Sequence, residues 1–383
     1  MHKRIMIIGA GEMQVPVILK AKNIGLYVVT IDGNIKAPGN KYADVALEID
    51  TNDKFKILKA AKDYEIDGLL TTSDLPVRVV AFVSQELGLK GLSVSAAEIT
   101  TNKYLLRKKL QDKGIISPLF FKLACIEDID KLKKRFIFPM IIKPVDSSAS
   151  RGVKKVNSLV ELYNEYPKSK EYSHSGIVII EEFINGNEYS VESLIQNGKL
   201  SIIAITEKKV NGNLGKYFVE ERHIIPANLS KLEQEEILKT VTDAVKVIGL
   251  DNCASHTELM LTKKGAIIIE IGARLGGDYI TSDLVPLAYG VDMLRNIINI
   301  SLGKGVDINK TKSNFSGVQF INSKNYTSSK NYIKSLMGNE DLEKYEIKEY
   351  QDIKLTNSMN RLGYFICKSN TREGLIKMLN IKE

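Results

Sequence analysis

The chain has 383 residues, 44% of them hydrophobic, with 54 Lys and Arg against 46 Asp and Glu for a net charge of +8. That length suits roughly two or three domains, and the composition excludes disordered, collagenous and coiled-coil classes. Three cysteines, Cys125, Cys253 and Cys367, are too few and too scattered for a disulfide framework or a zinc cluster. The lysines are interleaved with Glu and Asp instead of clustering with Arg and stacking aromatics, so solvated faces are expected and nucleic acid is not an expected partner. No run approaches the ~18 apolar residues of a membrane span. Met1–Ile5 lead into an apolar run with no small-residue cleavage site, so a cytoplasmic protein without a membrane partner is expected.

In chain order, Ile5–Ile8, Tyr27–Ile31 and Gly68–Thr71 read as strands and Pro76–Leu87 as a helix. This alternation predicts βαβ units and a parallel sheet over residues 1–98. Ligands on such sheets gather beyond the carboxyl ends of strands, where Gly9–Gln14, Asp32 and Asp74 fall. Gly9-Ala10-Gly11 begins like a dinucleotide fingerprint, but Gln14 stands where the third glycine belongs. A tight turn whose amides face an anion or a polar substrate is the better-supported reading. After a helical stretch, Thr100–Lys113, the chain from Phe138 to Glu270 reads as strands joined by turns, the antiparallel pattern of an α+β domain. The runs are Pro139–Lys143, Ile177–Phe183, Tyr189–Ile195, Leu200–Glu207, Ser255–Leu261 and Ala266–Ile271. Beyond residue 305 the sequence is polar, with strands at Gly317–Ile321 and Leu362–Ile366 and no chemical motif.

Four segments carry chemistry. Strands ending at Leu261 and starting at Ala266 flank a turn; with a three-residue loop, Lys263 to Gly265, Glu258 faces Glu270. Their Cβ atoms would lie about 5 Å apart, and opposed like charges need a cation or a proton between them. Two carboxylates plus phosphate oxygens hold Mg²⁺ well; a register one residue off would instead place one glutamate in solvent. Next, the Ile141–Val153 segment delivers Lys143 from a buried strand into a loop of small hydroxyl residues, Ser147, Ser148 and Ser150, before Gly152. Such amides, hydroxyls and a point charge suit a phosphate, or else form a polar surface hairpin. In Glu181-Glu182-Phe183-Ile184, with Glu188 beyond an Asn-Gly turn, carboxylates, strand amides and apolar walls suit a nucleobase, or else a plain acidic hairpin. Finally, Arg274 followed by Gly276 and Gly277 offers a guanidinium fork beside open amides, suited to a carboxylate or phosphoryl oxygen. His256 shares a strand face with Glu258, either in the site or in a structural hydrogen bond.

In this order, Lys103, the Lys143 loop, Glu181–Glu188, Glu258, Glu270 and Arg274 resemble the ATP-grasp superfamily over roughly residues 1–305. The resemblance implies an α/β and α+β architecture: an N-terminal parallel-sheet domain (1–98), linker helices and a lid subdomain (99–185), a central antiparallel-sheet catalytic domain (186–305), and a C-terminal region (306–383) completing it. It also implies ATP binding. Lys103, Lys143, Ser147, Ser148, Ser150 and Gly152 would lie at the phosphates, Glu181, Glu182, Phe183 and Ile184 at the adenine, and Glu188 at the ribose. Mg²⁺, or Mn²⁺ in its place, would sit at Glu258 and Glu270. The family's usual Asn is replaced by Gly272, so coordination would rest on the two glutamates and water. The His256–Glu258 and Glu270–Asp278 segments resemble the branch of L-amino-acid ligases. That likeness implies that Arg274 holds the acyl phosphate, that His256, Gly276 and Gly277 hold the amino acid, and that small carboxylates and amines are the partners, within a possible homodimer.

Overall fold

A computed structural model of the chain describes residues 3–210 and 218–379. Strands β1 (Arg4–Ile8), β2 (Tyr27–Asp32), β3 (Val45–Glu48) and β4 (Gly68–Thr71) form a parallel sheet in the order β3-β2-β1-β4. Ile5 and Ile7 pack into one apolar cluster and Met6 and Ile8 into another, so β1 is buried on both faces. That is why its sequence is a continuous apolar run instead of an alternation. Helices Val77–Glu86, Val94–Thr100 and Lys103–Gln111 follow β4.

Next, β5 (Phe120–Leu123), β6 (Met140–Pro144), β7 (Lys154–Val156) and β8 (Val178–Glu182) make a four-stranded antiparallel sheet ordered β5-β8-β6-β7. Leu162 and Tyr166 of the helix Leu159–Glu171 pack with Ile142 and Ile180 of this sheet.

The remaining strands share one sheet. They are β9 (Asn187–Gln196), β10 (Lys199–Val210), β11 (Glu220–Ile225), β12 (Cys253–Thr262), β13 (Gly265–Gly272), β14 (Phe315–Ile321), β15 (Leu342–Ile347) and β16 (Gly363–Ser369). Their order is β13-β12-β9-β10-β11-β14-β16-β15, so the polar C-terminal stretch supplies strands to the central sheet. No helix among the described residues is long and apolar enough to cross a membrane.

Two details depart from the expected pattern. The region from Phe138 to Glu270 is not strands and turns alone, because it holds the helices Leu159–Glu171 and Lys231–Ile248. The second opens with a Ser230–Glu233 capping box, ends at Gly249 with φ 79°, and buries Ile237, Val241, Ala244, Val245 and Ile248 along one stripe. The β12–β13 loop is also shorter than expected: Thr262 pairs with Gly265, leaving only Lys263 and Lys264 in the turn. Leu259 then faces Ile268, and a register shift between Glu258 and Leu259 returns Glu258 to a position opposite Glu270. The extra residue on β13 is Ile269, a β-bulge. The carboxylates therefore oppose each other as expected, by a tighter turn plus a bulge.

Candidate active site

A cavity of about 540 Å³ is lined by the ends of all three sheets, a size suited to a ligand such as a nucleotide. Every residue assigned above to ATP, cation or amino acid lines it except Gly152 and Gly276. Gly152 (φ 71°) closes the loop after Ala149 (φ 58°) and Ser150 (φ 56°), so this turn runs through left-handed backbone. The base of the loop is tied down by Asp146, whose carboxylate accepts from Ser173 Oγ (2.7 Å) and the amides of His174 (3.1 Å) and Ser175 (2.8 Å). Gly276 has no room for a side chain: a Cβ there would lie 2.6 Å from Glu192 Oε2 and 2.7 Å from His256 Nδ1.

The lysines reach the cavity from below. Lys103 starts its helix behind the Asn102 cap and donates to Ser147 O (2.7 Å) and Glu270 Oε1 (3.0 Å). Lys143, carried by β6, lies 2.7 Å from Glu181 Oε2. Burial lowers the Lys143 ammonium from its ordinary range, with Glu181 opposing that shift. Glu181 is itself buried and is gripped from the other side by Arg107 Nε at 2.8 Å. Burial would raise this carboxyl, but Arg107 and Lys143 outweigh it and hold Glu181 below its usual range. Its carboxylate is therefore occupied by two cations instead of standing free for an exocyclic amine. Glu182, Phe183 and Ile184 follow at the cavity wall, in the same lining as Ile141, Met260 and Ile269.

Glu258 and Glu270 each expose about a quarter of the side chain (25% and 29%). Each is answered by an ammonium: Glu258 by Lys208 at 2.6 Å and Glu270 by Lys103 at 3.0 Å. Lys208 also bonds Glu188 at 2.8 Å and lies 3.7 Å from Glu220. No group of three or more His, Cys, Asp or Glu placed to hold a metal occurs among the described residues. The two opposed carboxylates nevertheless fit a hard divalent cation that completes its shell with phosphate oxygens and water. Gly272 adds no side-chain oxygen, and a Cβ there would lie 3.2 Å from Asp74 Oδ1. Its bareness makes room for the ion pair beside it.

That pair is the Arg274 fork. Nε and Nη2 donate to Asp74 Oδ1 (2.7 Å) and Oδ2 (3.1 Å), joining the end of β13 to the carboxyl end of β4. Asp74 is thus where the strand-end rule placed it, whereas Asp32 is not in the lining. Asp32 instead accepts from the amides of Ala10 and Asn34, and Gly9 donates to Ile31 O. The Gly9 and Ala10 amides are thus spent on the turn, while Met13 and Gln14 from the end of the same loop line the cavity. His256 sits between two acids, with Nδ1 2.6 Å from Glu192 Oε1 and Nε2 3.4 Å from Glu258 Oε1. Burial works against the imidazolium, but Glu192 prevails and raises His256 to about 9.

The sequence reading did not single out Arg107, Glu192, Lys208, His223 or Arg361. For Glu192 a signal existed: it is a charged residue within the expected strand Tyr189–Ile195, which a sheet tolerates only when the charge is paired.

The profile of the ATP-grasp domain family matches residues 136–283. Alanine–anticapsin ligase of Bacillus subtilis is 28% identical over 279 residues, covering 67% of this chain and 58% of that protein. The chain therefore spans little more than half the length of the curated relatives it matches. Among solved structures, L-amino acid ligase from Bacillus licheniformis superposes with a TM-score of 0.81 at 20% identity, covering 99% of this chain and 96% of that one. An ADP complex of N5-carboxyaminoimidazole synthetase from Staphylococcus aureus gives 0.78 at 15% identity, covering 99% and 96%. With the two antiparallel sheets flanking one cavity, these likenesses show an ATP-grasp domain at residues 136–283 within a chain of ATP-grasp fold, resembling the amino-acid ligase branch.

Proposed function

We propose that this chain is an ATP-dependent, ADP-forming ligase that activates a carboxylate as an acyl phosphate and joins it to an amine, with amino acids as substrates. The observation that carries the reading is the Asp74–Arg274 fork in the same cavity as the opposed Glu258 and Glu270. That arrangement puts a guanidinium for an acyl oxygen beside a cation-binding pair. The likeness to alanine–anticapsin ligase supports amino acids as the substrate class.

A carboxylate does not react with an amine near neutral pH because its oxygen is a poor leaving group; phosphorylation cures that. Phosphoryl transfer needs positioning and charge neutralisation more than a protein nucleophile. Lys103 and Lys143 would neutralise phosphate oxygens from beneath, under a loop that Asp146 anchors. Lys208, released from Glu258, would add a third positive charge. Mg²⁺, when bound at Glu258 and Glu270, supplies Lewis-acid charge stabilisation and a template for the phosphates. Arg274 would steady the acyl phosphate while the amine attacks, and enclosure by the Ser147–Gly152 loop would keep water away.

The alternative, a ligase or carboxylase for a phosphorylated biosynthetic carboxylate, needs spare cations away from the nucleotide. Arg361 does not serve, because it stands outside the lining, held there by Asp278 and Glu220, whereas Arg274 lines the cavity itself. A non-catalytic nucleotide-binding subunit is opposed by the complete set of Lys143, Glu258, Glu270 and Arg274 in one cavity. The test is phosphate release from MgATP against amino acids singly and in pairs, with mass spectrometry of products. Release confined to particular pairs, with a dipeptide mass, is expected. Silence across the panel with nucleotide binding intact would overturn the amino-acid reading.

A further inference from the structure

One end of the cavity is lined by His223, Asp278 and Ser358, with Arg361 behind them. Asp278 and Tyr279 both have left-handed backbone (φ 51° and 66°), an arrangement that non-glycine residues keep only when their surroundings enforce it. Tyr279 is enforced by stacking on Tyr364 at a centroid distance of 4.0 Å. Asp278 is enforced by Arg361, whose Nη1 donates to Oδ1 at 2.9 Å. Arg361 is spent: Nη2 also donates to Glu220 Oε2 (2.7 Å), and the guanidinium lies 3.7 Å over the Phe320 ring. The pinned carboxylate still exposes 25% of its side chain to the cavity, and open space adjoins it at Gly277, where a Cβ would meet nothing within 4 Å. Beside it the buried His223 has an Nδ1 with no hydrogen-bond partner among the described residues, while its Nε2 lies 3.5 Å from Asp278 Oδ2.

Charge points the same way. Among the described residues, eight acidic side chains line the cavity against two lysines from below, Lys208, Arg274 and the raised His256, and the guanidiniums of Arg107 and Arg361 behind them still leave the acids one charge ahead. A nucleotide with one divalent cation is itself anionic, so the lining favours a second occupant that carries positive charge. The reacting amine must be neutral to attack, and a carboxylate held ionised by Arg361 suits a cation that takes no part in the chemistry.

We infer that Asp278, positioned by Arg361, sets substrate specificity by receiving the side-chain ammonium or guanidinium of a basic amino acid. The word substrate rests on the ligase reading; the binding preference does not.

The experiment is calorimetric titration of the MgADP-loaded protein with arginine, lysine, alanine and glutamate, repeated on Asp278→Asn and Asp278→Glu. Asparagine accepts left-handed backbone readily, and thermal melts check that each variant is folded. Arginine or lysine should bind about 10- to 100-fold tighter than alanine, the range for a charge-assisted hydrogen bond. Asp278→Asn should bring that ratio near one, and Asp278→Glu, which keeps the charge, should retain most of it. Equal binding of alanine and arginine by the wild type, no binding of either basic amino acid, or equal weakening of every ligand in Asp278→Asn would each overturn the inference. Phosphate release from MgATP with the same panel separates the two readings. Absence of release while the selectivity stands rejects the ligase and leaves the Asp278 site in place.

Discussion

Replacing Glu181 with Gln distinguishes a carboxylate that reads a nucleobase from one that holds a charge network. The structure places Glu181 between Arg107 and Lys143 at 2.8 and 2.7 Å, with both cations buried. Removing its charge strands two cations in a dry site, and breaking a buried pair in this way costs about 3–5 kcal/mol. Lys143 limits the damage, because burial already lowers its ammonium and it can shed the proton. Arg107 has no such escape, although its bond to Ile269 O at 2.6 Å remains. The expected loss is therefore at the lower end, about 3 kcal/mol. Urea denaturation of Glu181→Gln, Lys143→Met and the double variant measures it. The double variant should lose much less than the sum of the single ones, since the stranded lysine is gone. A loss below about 1 kcal/mol, combined with a raised KM for ATP, would refute the buried network and restore Glu181 to the base.

Glu270→Gln should leave the fold nearly intact, since Lys103 keeps its bond to Ser147 O, and should reduce ATP turnover by about 100-fold or more; wild-type turnover in steady-state phosphate release sinks the cation assignment. Arg274→Lys replaces a fork with a point charge, so kcat/KM for amide formation should fall by about 100-fold, and near-normal ligation rejects the role. Asp146 carries a pH signature. Burial pushes its carboxyl up, but Ser175, Ser173 and the His174 amide prevail and hold it below the usual range. A carboxyl depressed on folding contributes stability above its unfolded value, near about 4, and loses it as pH falls through the folded value. Asp146→Asn should therefore flatten the acid limb of the urea midpoint plotted against pH; an unchanged acid limb contradicts that account.

Legibility followed sequence distance. The opposition of Glu258 and Glu270 is readable because a hairpin is local, yet the three-residue loop that the sequence suggests is one residue too long. The actual turn holds Lys263 and Lys264, and Ile269 bulges to make up the difference. Turn length and bulge trade off residue for residue, so the spacing of the two glutamates constrains their sum and not either one. The helix Lys231–Ile248 had a readable start in Ser230 and Glu233, and its buried stripe has helical spacing. Its stripe is masked by the strand-like runs on either side of it. Leu159–Glu171 was harder, since Pro167 sits inside it. The buried network around Glu181 was not readable at all, because Arg107 lies 74 positions away and its role exists only in the packed state.

The Arg274 site shows what lies between these cases. From sequence, Arg274 was a fork without a partner, and Asp74 was a strand-end acid without a purpose. The fold brings them together across 200 positions, which a doubly wound first domain can do because its strand ends face the cavity. Their union also explains Gly272. The usual Asn would direct a side chain at Asp74 Oδ1, where even a Cβ comes within 3.2 Å. At this position the chain presents no side-chain oxygen and sets a clamped guanidinium beside the bare backbone. A similar pairing recurs at Lys208 and Arg361, where carboxylates facing the cavity are each held by a buried cation. Acids placed where a ligand can reach them, with bases sunk behind them, make a site that favours occupants bringing positive charge of their own.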